Sequence, residues 1–284
     1  MNKRERASLF VKNHQSLFAC PVCHGVISTV TASGVMCENG HQIDFNRHGY
    51  LHFLNTAGDA KYGREMFEAR RQILSAGLFD GIIKAVNQAL PSAPQVILDA
   101  GTGEGTPLLK LANLRQQEAD TLIGFDIASA GITLATQLPL KAFFCVADLR
   151  NLPFAEHSVD SIVELFSPSA YSEFNRVLKP GGRLLKIIPN SDYLKEVRTL
   201  LYPADDRHAT YSNDSVLSLF QKHYPHSTVQ NVRYQFAVPQ SLRQQMVLMT
   251  PLHWGRHVQQ PTPDQLAALD SVTVDVDLLT AIVN

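Results

Sequence analysis

No apolar run in this sequence approaches the roughly 20 residues needed to span a bilayer. Its first residues, MNKRERASLFVKNHQ, also lack the apolar stretch of a secretory signal. These absences predict a cytoplasmic protein with no membrane partner. Neither sign of charge dominates: 25 Lys+Arg stand against 26 Asp+Glu, a formal net charge of -1. That balance excludes a molecule acting mainly as a polycation on nucleic acid or lipid, and leaves room only for a local basic surface. Residues 1–92 are mildly basic, with ten Lys+Arg and seven Asp+Glu, while the remainder carries fifteen against nineteen. Cysteine is scarce as well. Of four, Cys20, Cys23 and Cys37 crowd into one short segment and Cys145 stands apart in an apolar run. In a reducing compartment such crowding argues for a metal and against disulfides.

What is present is an ordinary globular mixture, 45% apolar and 18% charged, so collagen-like and wholly disordered chains are excluded. The 284 residues suggest one large domain with a smaller companion. Residues 1–56 are rich in Cys, His and Gly with short alternating apolar positions, which predicts small β elements. Residues 57–94 read as a helical connector: Met66, Ile73, Leu74, Ile82, Ile83 and Val86 fall at helical spacing, with a break near Gly77 and a turn-rich LPSAPQ at its end. Residues 95–284 alternate short apolar runs with amphipathic stretches, the pattern of βαβ units and a parallel sheet, an α/β fold. Strands are expected at 96–100, 121–126, 142–147, 161–166 and 182–189. A helix at YSEFNRVL should stop at Pro180 and turn through Gly181 and Gly182. Later, SVLSLFQKHY and SLRQQMVLM look helical, and TVQNVRYQFAV and SVTVDVDLLTAIV alternate like a pair of strands that closes the sheet edge.

Cys20-Pro-Val-Cys23 and Cys37-Glu-Asn-Gly-His41 offer three thiolates and one imidazole, a complete tetrahedral set for zinc. His24 competes with His41 as the nitrogen donor but is less well spaced. Four protein ligands leave no position for a substrate water, so the zinc is expected to be structural and to stabilise a unit with too little core of its own.

The segment Val96-Ile-Leu-Asp99-Ala-Gly101-Thr-Gly103-Glu104-Gly105 runs from a strand into glycines that open a helix. A dinucleotide site wants G-x-G-x-x-G/A with a pyrophosphate at the helix N-terminus. Here the third glycine arrives one residue early, and Thr106 takes its place. The D-x-G-x-G-x-G spacing instead resembles motif I of the S-adenosylmethionine-dependent methyltransferases, in which Asp99 orients the loop or, through solvent, the donor's amino group. Asp126, at the end of the next strand, suits the ribose hydroxyls of either cofactor. Asp148, with Leu149 beside it before the Leu-Pro-Phe step, resembles the methyltransferase position that binds the adenine amino group.

Taken together, CPVC, CENGHQID, FEARRQILSAGLFD, LDAGTGEG, GFDIA, LPF, LKPGG and MTPLHW resemble the bacterial 23S ribosomal RNA (guanine-N1)-methyltransferases of the RlmA type. The resemblance covers nearly the whole chain. It implies a Rossmann-like class I S-adenosylmethionine-dependent methyltransferase fold with a small N-terminal zinc-binding domain that recognises RNA. It implies cofactor contacts at Phe79, Gly103 and Glu104, and at Tyr193, where a related member has histidine. It also implies 23S ribosomal RNA as partner, a homodimer, and, for one branch of the family, macrolide resistance. N1 of guanine is hidden when paired, so the target is expected to be a hairpin-loop base or one flipped out and stacked. Trp254 is a candidate platform, and Arg47 and Arg70, with Lys61, Arg64 and Arg71, are candidate phosphate contacts. Glu164 and His253 are options for a general base, neither assigned. A small-molecule methyltransferase is the runner-up, because LPF and LKPGG occur also in enzymes acting on metabolites. A third possibility is an RNA-binding module on a vestigial fold.

Overall fold

The computed structural model describes residues 1–54, 63–116, 119–203, 206, 211–254 and 257–283. Lys61 and the start of the connector lie outside the described residues. The chain opens with α1 (Lys3–Asn13), whose Asn2 and Glu5 form a reciprocal capping box. This helix was not expected from the sequence, because its amphipathic signal is weak and it buries only Ala7 and Val11. A three-stranded antiparallel sheet follows, in the order β1 (Ile27–Val30), β2 (Gly34–Cys37), β3 (Gln42–Asp44). Then come β4 (Leu51–His52), α2 (Arg64–Ser75) and α3 (Asp80–Ala89). Gly77, at φ +112°, turns the chain between the two helices, and the six apolar positions predicted to face inward are buried.

The larger unit alternates as expected: β5 (Val96–Ala100), α4 (Thr106–Arg115), β6 (Thr121–Asp126), α5 (Ser129–Ala135), β7 (Ala142–Val146), β8 (Val159–Leu165), α6 (Tyr171–Val177) and β9 (Leu178–Pro189). α7 (Lys195–Leu201), α8 (Asp214–His223), β10 (Thr228–Ala237), α9 (Arg243–Leu248), α10 (Pro263–Ala267) and β11 (Ser271–Ile282) complete it. Among the described residues the sheet has eight strands in the order β10-β11-β9-β8-β5-β6-β7-β4. From β4 to β9 the pairings are parallel, and β11 and β10 add antiparallel at the far edge. The central strands are rich in buried apolar residues because helices or the N-terminal unit cover both faces.

Two boundaries differ from expectation. α6 stops at Val177, short of Pro180, because Leu178 already pairs with Val159 of β8. The irregularity that follows, between Val159 and Ser161, absorbs the turn at Gly181, which has φ +79°. The N-terminal unit is also less separate than its composition suggests. β4 pairs with β7, Phe10 of α1 stacks on Phe143 at 5.4 Å, and Phe18 meets Phe143 edge-on. Ala7, Val11, Ile27 and Val35 thus share one core with β5 to β9. No helix among the described residues is long and apolar enough to cross a membrane.

Strand order reverses between β5 and β8: β6 and β7 lie to one side of β5, and β8 and β9 to the other. The crevice above their carboxyl ends is where ligands collect in such sheets. α3 is seated over the antiparallel edge by Tyr234, whose hydroxyl donates to the Leu78 carbonyl at 2.6 Å. A Cβ at Gly81 would lie 2.4 Å from the Tyr234 ring. Gly81→Ala is therefore expected to lower the unfolding free energy by about 1–3 kcal/mol, read by urea denaturation, and an unchanged midpoint would show that α3 does not depend on this close approach.

Candidate functional site: a zinc knuckle and a cofactor crevice

The two cysteine segments meet. The donor atoms of Cys20, Cys23, Cys37 and His41 all lie within 4.8 Å of one another. Cys23 Sγ is 3.8 Å from Cys37 Sγ, and His41 Nδ1 is 3.6 Å from Cys20 Sγ and 3.4 Å from Cys37 Sγ. Tetrahedral zinc with bonds of about 2.3 Å to sulfur sets ligand edges of about 3.8 Å, so the donors fit zinc. Local backbone bonds shape the set: Cys20 N–H donates to the Gly25 carbonyl, His24 N–H to the Cys20 carbonyl, and Cys37 N–H to the His41 carbonyl. Gly40, at φ +82°, permits the second knuckle. The Asn39 amide donates to Cys23 Sγ at 3.3 Å and brings that thiol down to about 6, favouring the thiolate that binds metal. His24 is not part of the cluster, which settles the competition between the two histidines in favour of His41.

The second site forms where β5 opens into α4. Gly101, Gly103 and Gly105 all take positive φ, and a Cβ at Gly101 would strike Ser167 at 2.8 Å, so the loop lies directly against the segment that follows β8. Asp126, at the end of β6, accepts from Gly103 N–H at 2.9 Å and Ala128 N–H at 2.8 Å. Asp99 is buried and accepts from the Thr102 hydroxyl at 2.6 Å. Burial pushes its carboxyl up to about 7, against the Thr102 bond, and burial likewise raises Asp126. Asp148 and Leu149 follow β7. Arg150 bonds the Asp148 carboxylate and holds it below the usual carboxylate range.

Glu104 is 1% exposed, and its carboxylate is fully engaged: it accepts from Arg71 Nε at 3.0 Å, Thr106 N–H at 3.2 Å and Thr106 Oγ1 at 2.7 Å. An acid of the chain itself therefore fills the N-terminus of α4, where a pyrophosphate would bind in a dinucleotide enzyme. The donor set fits a phosphate-free cofactor, and this decides between the two alternatives the glycine spacing leaves open. Arg71, a candidate phosphate contact by sequence, is committed inward to this bond; the adjacent Arg70-Arg71 pair gave no sign of which side chain points in.

Aromatic rings line the other side of the crevice. Phe166 lies 5.4 Å from Phe79 and stacks on Tyr193 at 5.0 Å. Phe166 has φ +60°, a strained conformation for a bulky residue, and sequence reasoning did not single it out. Its loop is held from below. Lys186 Nζ donates to the Ser167 carbonyl at 2.9 Å and pairs with Glu164 at 3.0 Å, while Ser169 Oγ donates to Glu164 at 2.8 Å. Glu164 is completely buried, and burial raises its carboxyl above the usual range. It is thus placed to brace the loop, its carboxylate taken up by Lys186 and Ser169. Arg70 sits 6.0 Å over the Phe79 ring, within electrostatic reach of Asp99, Asp126 and Tyr193.

The remaining candidates lie apart from this crevice or at its margin. Arg47 is exposed, and its Nε faces the His48 ring at 3.2 Å. Arg64 is exposed and pairs with Glu68. Trp254 is 44% exposed on a 3₁₀ turn, Pro251–Trp254, and His253 Nδ1 is bonded to the Thr250 carbonyl.

Two outcomes follow from this geometry. Cys37→Ser is expected to reduce bound zinc to a small fraction of the wild-type content and to strip amide-exchange protection from β1 to β3 while β5 to β8 stay protected; retained zinc would refute the ligand set. Asp99 is raised in the folded state from 3.8 to about 7, so its contribution to stability is intact at low pH and is lost as pH rises towards 7. Asp99→Asn removes that dependence. The variant should gain roughly 3–4 kcal/mol on the wild type between about pH 4 and pH 7.5 in the cofactor-free protein, measured by urea unfolding, and a constant difference across that window would contradict a buried neutral carboxyl.

The chain matches two family models: a zinc ribbon described as RlmA, N-terminal, at residues 18–56, and a methyltransferase domain at residues 97–182. It is 34% identical over 273 residues to YxjB of Bacillus subtilis (strain 168), provisionally named a 23S rRNA (guanine-N(1)-)-methyltransferase, covering 93% of this chain and 96% of that protein. It is 28% identical over 193 residues to the 23S rRNA (guanine(748)-N(1))-methyltransferase of Streptomyces fradiae, covering 66% and 68%. A demethylmenaquinone methyltransferase of Thermotoga maritima is 31% identical, but over 43% of this chain and 53% of its own. Among solved structures, Haemonchus contortus phosphoethanolamine N-methyltransferase 2, in complex with S-adenosylhomocysteine, aligns with a TM-score of 0.51 at 14% identity over 81% of this chain and 60% of that one, a likeness of fold. With a fold of the class I S-adenosylmethionine-dependent type, a zinc ribbon in front of it and an end-to-end relative at this identity, the chain belongs to the RlmA-type 23S rRNA (guanine-N1)-methyltransferase family.

Proposed function

We propose that this enzyme transfers the methyl group of S-adenosylmethionine to N1 of a guanine in a hairpin loop of 23S ribosomal RNA, acting in the cytoplasm and, as the family resemblance implies, as a homodimer. One observation carries this over a small-molecule substrate: similarity to the Bacillus subtilis ribosomal RNA enzyme spans 93% of this chain and the zinc ribbon has its own match, whereas similarity to the menaquinone enzyme spans less than half of it. Under this proposal residues 1–56 recognise RNA, 57–94 connect, and 95–284 hold the cofactor and the target base.

Bound in the crevice, the cofactor supplies an electrophilic methyl group on a sulfonium. The residues of the chain bind and orient. The main chain of Gly101, Gly103, Glu104 and Gly105 lines the methionine portion; the positive φ of the three glycines lets the loop pack this closely on Ser167 and Ala135, and Asp99 holds the loop through Thr102. Asp126 has lone pairs remaining for the ribose hydroxyls, and Asp148 beside Leu149 reaches the adenine amino group once Arg150, which is exposed, swings away. Phe79 and Tyr193 flank Phe166 as an apolar wall that keeps water from the methyl group. Arg70, which faces the acidic cluster, suits the methionine carboxylate better than an RNA phosphate. Trp254 and Arg47, both exposed, remain for base stacking and phosphate contact. Positioning supplies much of the rate.

Primer extension on 23S ribosomal RNA from wild-type cells should stop at one guanine, the stop should vanish in a deletion strain, and it should return on incubation with purified protein and donor. An identical pattern in both strains would leave the metabolite substrate as the better account.

A further inference from the structure

α7 carries a guanidinium that the other described residues leave largely without hydrogen-bond partners. Arg198 is 5% exposed, yet its Nε and Nη1 meet no hydrogen-bond partner among the described residues. Other inward-facing arginines are matched: Arg71 by Glu104, Arg115 by Asp120 and Arg176 by Glu173. Among the described residues, the Arg198 guanidinium faces aromatic rings. Its Cζ lies 5.2 Å from the centre of the Tyr211 ring, and its electrostatic neighbours are the phenols of Tyr193 and Tyr211. A buried cation without a carboxylate is among the least favourable arrangements in a fold, and an orphaned donor of this kind marks a place that a ligand completes.

Its position says which ligand. Arg198 N–H donates to the Leu194 carbonyl, which sets it one helical turn beyond Leu194, the residue that follows Tyr193. Tyr193 in turn stacks on Phe166, the strained residue after β8 whose neighbour Ser167 lies against Gly101 of the cofactor loop. Arg70 and Arg198 are both electrostatic neighbours of Tyr193; Arg70 also reaches Asp99 and Asp126, whereas the neighbours of Arg198 among the described residues are the phenols of Tyr193 and Tyr211. The first belongs with the cofactor and the second with the acceptor.

We propose that Arg198 recognises the target guanine, donating guanidinium N–H groups to O6 and N7; this rests on the ribosomal RNA function proposed above. The pairing is the one by which arginine tells guanine from adenine, whose amino group at that position is itself a donor. It also serves the chemistry. N1 loses its proton to solvent, the N1 lone pair forms the bond to the methyl carbon, and the carbon–sulfur bond breaks with its electrons remaining on the neutral thioether. The charge on deprotonated guanine is shared between N1 and O6, so a cation at O6 stabilises the nucleophilic form.

The test uses the full-length zinc-loaded protein, 23S ribosomal RNA from the deletion strain and a labelled methyl donor. Arg198→Met should lower the single-turnover rate at neutral pH by about 10- to 100-fold and move the pH–rate limb upward, with Arg198→Lys between the two. Donor affinity by calorimetry should stay within about threefold, and the melting temperature of the Met variant should hold or rise, because an unpaired buried charge has gone. A wild-type rate and pH profile in Arg198→Met would overturn the assignment. So would a joint fall of rate, melting temperature and donor affinity, which is the mark of a packing role. RNA left unmethylated by the wild-type protein would instead strike the proposed function, and this inference with it.

Discussion

The carboxylate of Glu104 occupies the N-terminus of α4, and much of the site follows from that one placement. A helix N-terminus attracts anions, and in nucleotide-binding α/β proteins the anion is a phosphate of the ligand. Here the chain provides it, through Thr106 N–H, Thr106 Oγ1 and Arg71. The cofactor pocket is left with acidic groups at or just beyond the ends of β5, β6 and β7, a surrounding that suits a cationic sulfonium and repels a pyrophosphate. The same bond ties α2, which carries Arg71, to the cofactor loop. Arg70 and Phe79 are thereby fixed near the crevice by elements that precede the sheet in the chain.

The zinc ribbon contributes to the same economy of support. A three-stranded sheet of this size buries too little to be stable alone. The metal stabilises one end of it, and the large sheet stabilises the other through Phe10, Phe18 and β4. One core thus runs from Ile27 and Val35 to Phe143 and Phe154, so an RNA bound by the ribbon would meet a surface fixed relative to the crevice and not one on a loose tether.

Much of this was legible in the sequence because the physics involved is local. Near-continuous apolar runs mark strands buried on both faces, so five parallel strands could be placed within a few residues. The cysteine spacing named a ligand set because two residues between thiols fix a turn. Where the sequence was silent, the determining contacts are distant. α1 is held by Phe143, far along the chain, and its own pattern is weak. The choice between Arg70 and Arg71 depends on which faces Glu104, a contact across 33 positions. Glu164 looked like a base candidate because it ends a strand at the ligand edge, and only its partners Lys186 and Ser169 show that it is sealed. Phe166 carries no motif at all; its positive φ exists because the loop is held at both ends.

That loop shows how the fold can place an acceptor without a dedicated base. Phe166 in the left-handed region stores of order 1–3 kcal/mol of strain, which persists because Ser167 donates to the Ala100 carbonyl while its own carbonyl accepts from Lys186, and Ser169 bonds Glu164. The buried pair is an expensive way to add stability, but it fixes a ring between the cofactor loop and α7 to the precision that alignment of a methyl transfer demands. Buried charge serves this site in two ways: where it is paired, as in Glu164 and Lys186, it sets geometry, and where it stands unpaired, as in Arg198, it waits for the substrate.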